Sequence, residues 1–217
     1  MTKPQTRRKD TYLRIQNAAL ELFLEHGYEK TSLREIAESL GVTKAALYYH
    51  FKTKEDIVHS LFARLGGEFD ELIEWGDAQP ATLDTRRELL SRLNTILAGG
   101  APIFRFLQEN QAALRDMRLG EDFKARMQSL GRLLTDDDAG MVDRIRAVSS
   151  LFTVYFGGFA LMDMEGTMED KRAALLQVAE EMLTAAHAPK PSPEPKPTPK
   201  PTPKPTPRPS PEASARP

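Results

Sequence analysis

The chain has 217 residues, of which 40% are hydrophobic and 28% charged, with a formal net charge of −1. That balance suits a globular protein with one sizeable core or two small ones, and no run approaches the ~20 apolar residues of a membrane span. Having no cysteine excludes disulfides, thiolate metal sites and thiol nucleophiles, and no apolar leader opens the chain, so a cytoplasmic protein is expected.

The net charge hides an asymmetry. Residues 1–60 carry ten Lys/Arg against eight Asp/Glu, residues 61–188 carry 14 against 21, and residues 189–217 carry six against two. An acidic body between two basic ends favours an oriented approach to a polyanion.

Residues 1–10, with Arg7, Arg8 and Lys9 adjacent, read as a flexible basic arm: either a solvated terminus or a phosphate or minor-groove contact. From Thr11 to His26 a helix is marked by Ile15, Ala18, Ala19, Leu22 and Phe23 at helical spacing, closed by Gly27. Tyr28 is expected in the same small core.

Thr31 to Lys54 reads as two short helices joined by a tight turn, then the cap of another. Leu33, Ile36, Ala37 and Leu40 make one apolar face, Ser32 to Glu35 form a capping-box pattern, and Gly41 ends the first helix. Thr43 is the N-cap of a second helix, Lys44 to Phe51, that buries Leu47 and Phe51. Its other sides carry Lys44, Ala45, Tyr48, Tyr49 and His50, a cationic, aromatic and hydrogen-bonding face suited to a major groove. Arg34 can reach a phosphate or fork onto guanine, Lys44 can donate to a base edge or phosphate, and Ala45 and Ala46 allow close approach to a thymine methyl. His50 has an alternative as a structural hydrogen-bonding residue. The four histidines, at 26, 50, 59 and 187, never fall at i, i+3 or i+4, so no metal is expected.

These residues carry a resemblance. Ala18-Ala19, Leu22-Phe23, Gly27-Tyr28, Thr31-Ser32, Ile36-Ala37, Leu40-Gly41-Val42, Leu47-Tyr48 and His50 to Lys54 resemble, without a gap, the DNA-binding domain of the TetR family of bacterial transcription regulators. The resemblance covers about the first 60 residues. It implies that Tyr48, His50 and Lys54 contact the DNA backbone, with Tyr49 against either backbone or base, and that the following helix links reader to body. Thr43 is expected at the same DNA-binding surface.

Glu55 to Trp75 reads as one helix or two, with Gly66-Gly67 a candidate hinge, and Gly76 to Thr82 as a loop. Asp84 to Leu97 is a further helix, and Pro102 is expected to start a short separate one through Gln108. One or two helices then run to Leu134, followed by an acidic loop and N-cap, Thr135 to Asp138. Val142 to Met162 is apolar nearly all round and so needs cover on several sides. Asp170 to Ala186 supplies an amphipathic partner. The resemblance implies that these last two helices pair with their copies in a dimer.

From 189 to 211 proline occupies every second position, and Lys-Pro-Thr-Pro repeats at 196, 200 and 204. Such a tail is polyproline II or disordered, and could span roughly 90 Å at ~3.1 Å per residue. The expected fold is therefore all-α. It comprises a basic arm (1–10), a three-helix helix-turn-helix domain (11–65), a helical regulatory and dimerisation domain (66–188) and the tail (189–217).

No GxGxxG, P-loop, GxSxG or HExxH is present, so nothing points to an enzyme or a cofactor. The expected function is a homodimeric regulator, most often a repressor in such proteins, on a palindromic DNA operator, released by a small hydrophobic effector. Phe104, Leu107, Met127, Phe152, Tyr155 and Phe156 are the candidate effector residues. The alternative is a DNA-binding scaffold that recruits a protein through its body and proline-rich tail.

Overall fold

The computed structural model describes residues 3–114, 117, 121–161 and 163–188, so the proline-rich tail expected at 189–217 lies outside the described residues. Among the described residues the chain is all-helical, and no helix is long and apolar enough to cross a membrane.

Helix α1 runs from Lys3 to His26, so Lys3 to Asp10 of the expected flexible arm continue the first helix instead. Pro4 sits in its first turn, where the missing N–H is not needed, and Arg7 to Lys9 are good helix formers. Gly27, at φ +90°, ends the helix, and its N–H donates to the Phe23 carbonyl at 3.1 Å. Helices α2 (Leu33–Ser39) and α3 (Lys44–His50) pack on α1 through Ile36, Ala37, Leu47 and Phe51, all essentially buried.

Helix α4 (Lys54–Asp77) leads out of this unit and passes unbroken through Gly66-Gly67. The expected hinge is absent because Gly66 serves close packing. A Cβ there would lie 2.9 Å from the Arg126 guanidinium, which rests on the bare helix. Helix α5 (Leu83–Glu109) likewise runs through Pro102 where two helices were expected. Proline costs one intrahelical hydrogen bond, but burial of Ile103, Phe104 and Phe106 immediately after it holds the turn in line.

A single turn, α6 (Gln111–Leu114), precedes α7 (Glu121–Leu133). The acidic loop that follows is tied down: Asp136 accepts from Arg86 at 2.6 Å and lies 3.5 Å from His187. Helices α8 (Met141–Ala160) and α9 (Met168–Ala186) form a hairpin, and a Thr167/Asp170 capping box starts the second. They meet closely at Gly157, where a Cβ would overlap the Leu175 side chain.

One hydrophobic core joins reader and body. Phe106 of α5 stacks on Phe23 of α1, with Tyr28 edge-on to both rings. A body helix thus reaches into the three-helix unit.

Candidate nucleic-acid interface

The α2–α3 pair is fixed by local capping. Ser32 Oγ accepts from the Glu35 N–H, and Glu35 accepts from the Ser32 N–H at 2.7 Å. The Ser32 hydroxyl, which also donates to the Glu35 carboxylate at 2.8 Å, and after it the Ser32 N–H, hold the Glu35 carboxyl below its ordinary range. At the far end Gly41 adopts φ +63°, while Val42 N–H reaches the Ala37 carbonyl and Gly41 N–H the Glu38 carbonyl. This glycine-dependent Schellman turn aims α3 away from α2.

Thr43 caps α3 by accepting from the Ala46 N–H at 3.1 Å, so its hydroxyl already has a structural task. Leu47 and Phe51 anchor the helix inward. Lys44, Ala45, Ala46 and Tyr49 stand in solvent, with Tyr49 62% exposed, and Tyr48 and His50 lie half-buried beside them. The exposed side of α3 is therefore the one the sequence predicts.

The face extends beyond α3. Arg8 lies over the Tyr49 ring at 5.2 Å, and Tyr12 stacks on Phe51 and meets His50 edge-on. Burial first, and then the Arg8 charge, pushes the His50 imidazole below its ordinary pKa, which favours the neutral ring at pH 7. Lys52 donates to the Tyr48 carbonyl at the C-terminal end of α3, a residue that helical periodicity does not single out because it follows the helix.

Two expected contacts are differently engaged. Arg34 is exposed but pairs with Glu38 at 2.6 Å, one turn along α2. Lys54 donates to the Tyr28 carbonyl at 2.7 Å and lies 4.4 Å above that tyrosine ring. Tyr28 in turn donates to Glu55 at 3.0 Å, and burial, reinforced by that bond, pushes its hydroxyl well above the ordinary tyrosine range. Lys54 thus braces the turn after α1 and keeps only part of its donor capacity for a phosphate.

In the body, a cavity of about 860 Å³ lies between α4, α5, α7 and α8. Phe62 and Phe69 of α4, Phe104 and Leu107 of α5, Phe123 of α7 and Tyr155 of α8 line it. Arg126 closes one wall, forked onto Asp70 of α4 at 2.7 and 2.8 Å. That fork draws the Asp70 carboxyl below its ordinary range.

Of the six effector residues expected, Phe104, Leu107 and Tyr155 meet here. Met127 and Phe152 instead line a separate, more open depression between α7 and α8, and Phe156 is 53% exposed on the outer side of α8. The difference has a simple origin: an apolar helix residue can face core, cavity or partner at the same periodicity. Phe62, Phe69 and Phe123, which also line this cavity, do not stand out in the sequence for the same reason.

Comparison with known proteins agrees with this architecture. Residues 15–61 match the profile of the bacterial regulatory proteins, tetR family. The chain is 32% identical over 133 residues to the fatty acid metabolism regulator protein of Bacillus subtilis (strain 168), spanning 59% of this chain and 69% of that protein. It is 36% identical over 90 residues to the HTH-type transcriptional regulator AcrR of Shigella flexneri, though that match spans only 42% of the relative's length. Among solved structures, a transcriptional regulator from Aquifex aeolicus VF5 shares the fold with a TM-score of 0.62 at 20% identity, covering 77% of this chain and 96% of that one. The regulator PfmR from Thermus thermophilus does so with a TM-score of 0.57, also at 20% identity, covering 76% and 97%. A reader built on Leu47 and Phe51, an all-helical body and a relative matched over most of its length lead to one conclusion: the chain belongs to the TetR family of transcription regulators, DNA-binding proteins rather than enzymes.

Proposed function

We propose that this protein is a homodimeric, ligand-responsive repressor that acts in the cytoplasm on a palindromic operator and leaves it when a small hydrophobic effector enters the body. The observation that carries the dimer is an unpartnered apolar stripe. Ile145, Phe152 and Phe156 recur at i, i+7 and i+11 along α8 and are 57%, 41% and 53% exposed, with Val178 of α9 47% exposed. Large apolar side chains aligned on one helical face call for a covering surface, and a second copy of the same hairpin supplies one. Two copies would present two α3 helices to successive major grooves, with half-sites about 34–36 Å apart.

The cavity against α4 supports the effector. Filling it would favour the arrangement of α4 that accommodates the ligand, and α4 carries the reader at its other end. An effector that binds the DNA-free arrangement more tightly lowers operator affinity by the same coupling. The Bacillus subtilis relative is named for fatty acid metabolism, so acyl chains are the first compounds to test.

The experiment is to measure mass in solution and operator affinity for the wild type and an Ile145→Asp/Phe156→Asp variant. A dimeric wild type, with a monomeric, folded variant that binds the operator far more weakly, is expected. A monomeric wild type with full operator affinity would contradict the proposal.

A further inference from the structure

A second chamber of about 400 Å³ lies on the other side of the Phe104–Tyr155 pair. Both rings line both chambers, in an edge-to-face contact with centroids 5.9 Å apart, so they form the partition. The second chamber is bounded by Leu24 of α1, Leu97 and Pro102 of α5, Val154 of α8 and Met168 of α9. Its wall therefore includes a residue of the reader itself.

The two chambers differ in charge. In the larger one the Arg126 guanidinium is consumed by Asp70, and the Asp122 carboxylate also lines the wall. Among the described residues no carboxylate lines the smaller one, and its charged groups are Arg105 and Arg172. Arg105 is paired with Glu109, whereas Arg172 makes no hydrogen bond or ion pair among the described residues. Arg172 is half-buried, and an arginine beside an apolar wall, with no carboxylate among the described lining residues, is complementary to an anion attached to an apolar body. Between the chambers, the Tyr155 hydroxyl has no hydrogen-bond partner among the described residues, and burial alone pushes its pKa up.

We propose that the two chambers form one compartment for an elongated amphipathic anion, with its anionic end on Arg172 and its apolar body passing the Phe104–Tyr155 partition into the larger cavity. This rests on the effector reading above and adds the class of effector and the residue that selects it. For the chain to pass, the two rings must turn aside from their edge-on contact, and Tyr155 must shift against Phe123 and Phe156, whose ring centroids lie 5.0 and 4.5 Å from its own. An occupant in this position touches Leu24 of α1 and Phe62 and Phe69 of α4 together. It would bear on two reader helices at once.

The test uses the full-length protein and titration calorimetry with dodecanoate, dodecanol and octanoate, on the wild type and Arg172→Gln. Wild type is expected to prefer dodecanoate to dodecanol by about tenfold, the scale of one charge-assisted contact. In Arg172→Gln that preference disappears while dodecanol affinity stays unchanged, which also shows that the variant is folded. Octanoate, too short to fill both chambers, binds much more weakly than dodecanoate. Equal affinity for dodecanol and dodecanoate in the wild type, or a preference that survives in Arg172→Gln, overturns the anion site but leaves the apolar effector cavity standing. Octanoate matching dodecanoate overturns the two-chamber compartment. Failure of all three probes to bind overturns the effector reading itself, and this inference with it.

Discussion

Phe106 of α5 stacks on Phe23 of α1, with ring centroids 5.4 Å apart and planes 25° apart, although the two residues belong to different functional units. Both are essentially buried. The body therefore holds the reader through packed aromatic surface as well as through the continuous helix α4. Phe106→Ala is expected to destabilise the fold by about 3–5 kcal/mol, the usual range for deleting a buried phenylalanine. Phe106→Leu retains much of the volume and costs less, about 1.5 kcal/mol. Urea denaturation measures both; equal, small losses would show that the contact does not hold reader to body.

Glycines in the long helices give predictions of opposite sign. Gly67 has open space around its missing Cβ, so Gly67→Ala is expected to stabilise by up to about 1 kcal/mol through helix propensity. Gly157 faces Leu175, with three side-chain atoms within 2.9 Å of the added Cβ. Gly157→Ala forces α8 and α9 apart or Leu175 into a new rotamer, at about 1–3 kcal/mol. Thermal melts of the two variants, moving in opposite directions, check this.

Acid sensitivity follows from the Asp70–Arg126 fork. The Asp70 carboxyl titrates below its ordinary value because Arg126 hydrogen-bonds the charged form. A depressed folded pKa stabilises the protein above the unfolded value of about 3.9, and that stabilisation is lost as pH falls through the folded one. Asp70 is half exposed, which keeps the contribution below about 1 kcal/mol. Asp70→Asn should therefore be slightly less stable than wild type at neutral pH and indistinguishable from it once the carboxylate is protonated. A constant difference from neutral to strongly acid pH would assign the loss to packing instead.

Lys44 stands exposed at the start of α3, with its ammonium 5.5 Å from the Tyr48 ring. If it contacts phosphate, Lys44→Ala weakens binding across all sequences and lowers the slope of log affinity against log salt by about one. If it reads a base edge, the loss concentrates at one position of the operator. Unchanged affinity and slope in a folded dimer would remove Lys44 from the interface.

The reader was legible in sequence because its determinants are local. Ser32, Gly41 and Thr43 punctuate two short helices, and the spacing of Ile36, Ala37, Leu47 and Phe51 states which faces go inward. The body was legible as helices but not as continuous ones. Gly66-Gly67 and Pro102 are breakers by propensity, and only tertiary neighbours, Arg126 in one case and the buried Ile103 to Phe106 turn in the other, keep those helices intact. The cavity was least legible, since Phe104, Phe152 and Phe156 look alike in a helical pattern yet face cavity, open depression and outer surface. Lys54 shows a further limit: its cation is visible in sequence, but its engagement by the Tyr28 carbonyl is not.

The most direct measurement is enrichment of bound duplexes from a random DNA pool, using the purified full-length protein at near-physiological salt. A dimeric reader built on two α3 helices predicts recovery of one palindromic motif with half-sites spaced about one helical turn. Enrichment of duplexes that share no motif would mean charge-driven contact alone, and would contradict sequence reading by α3.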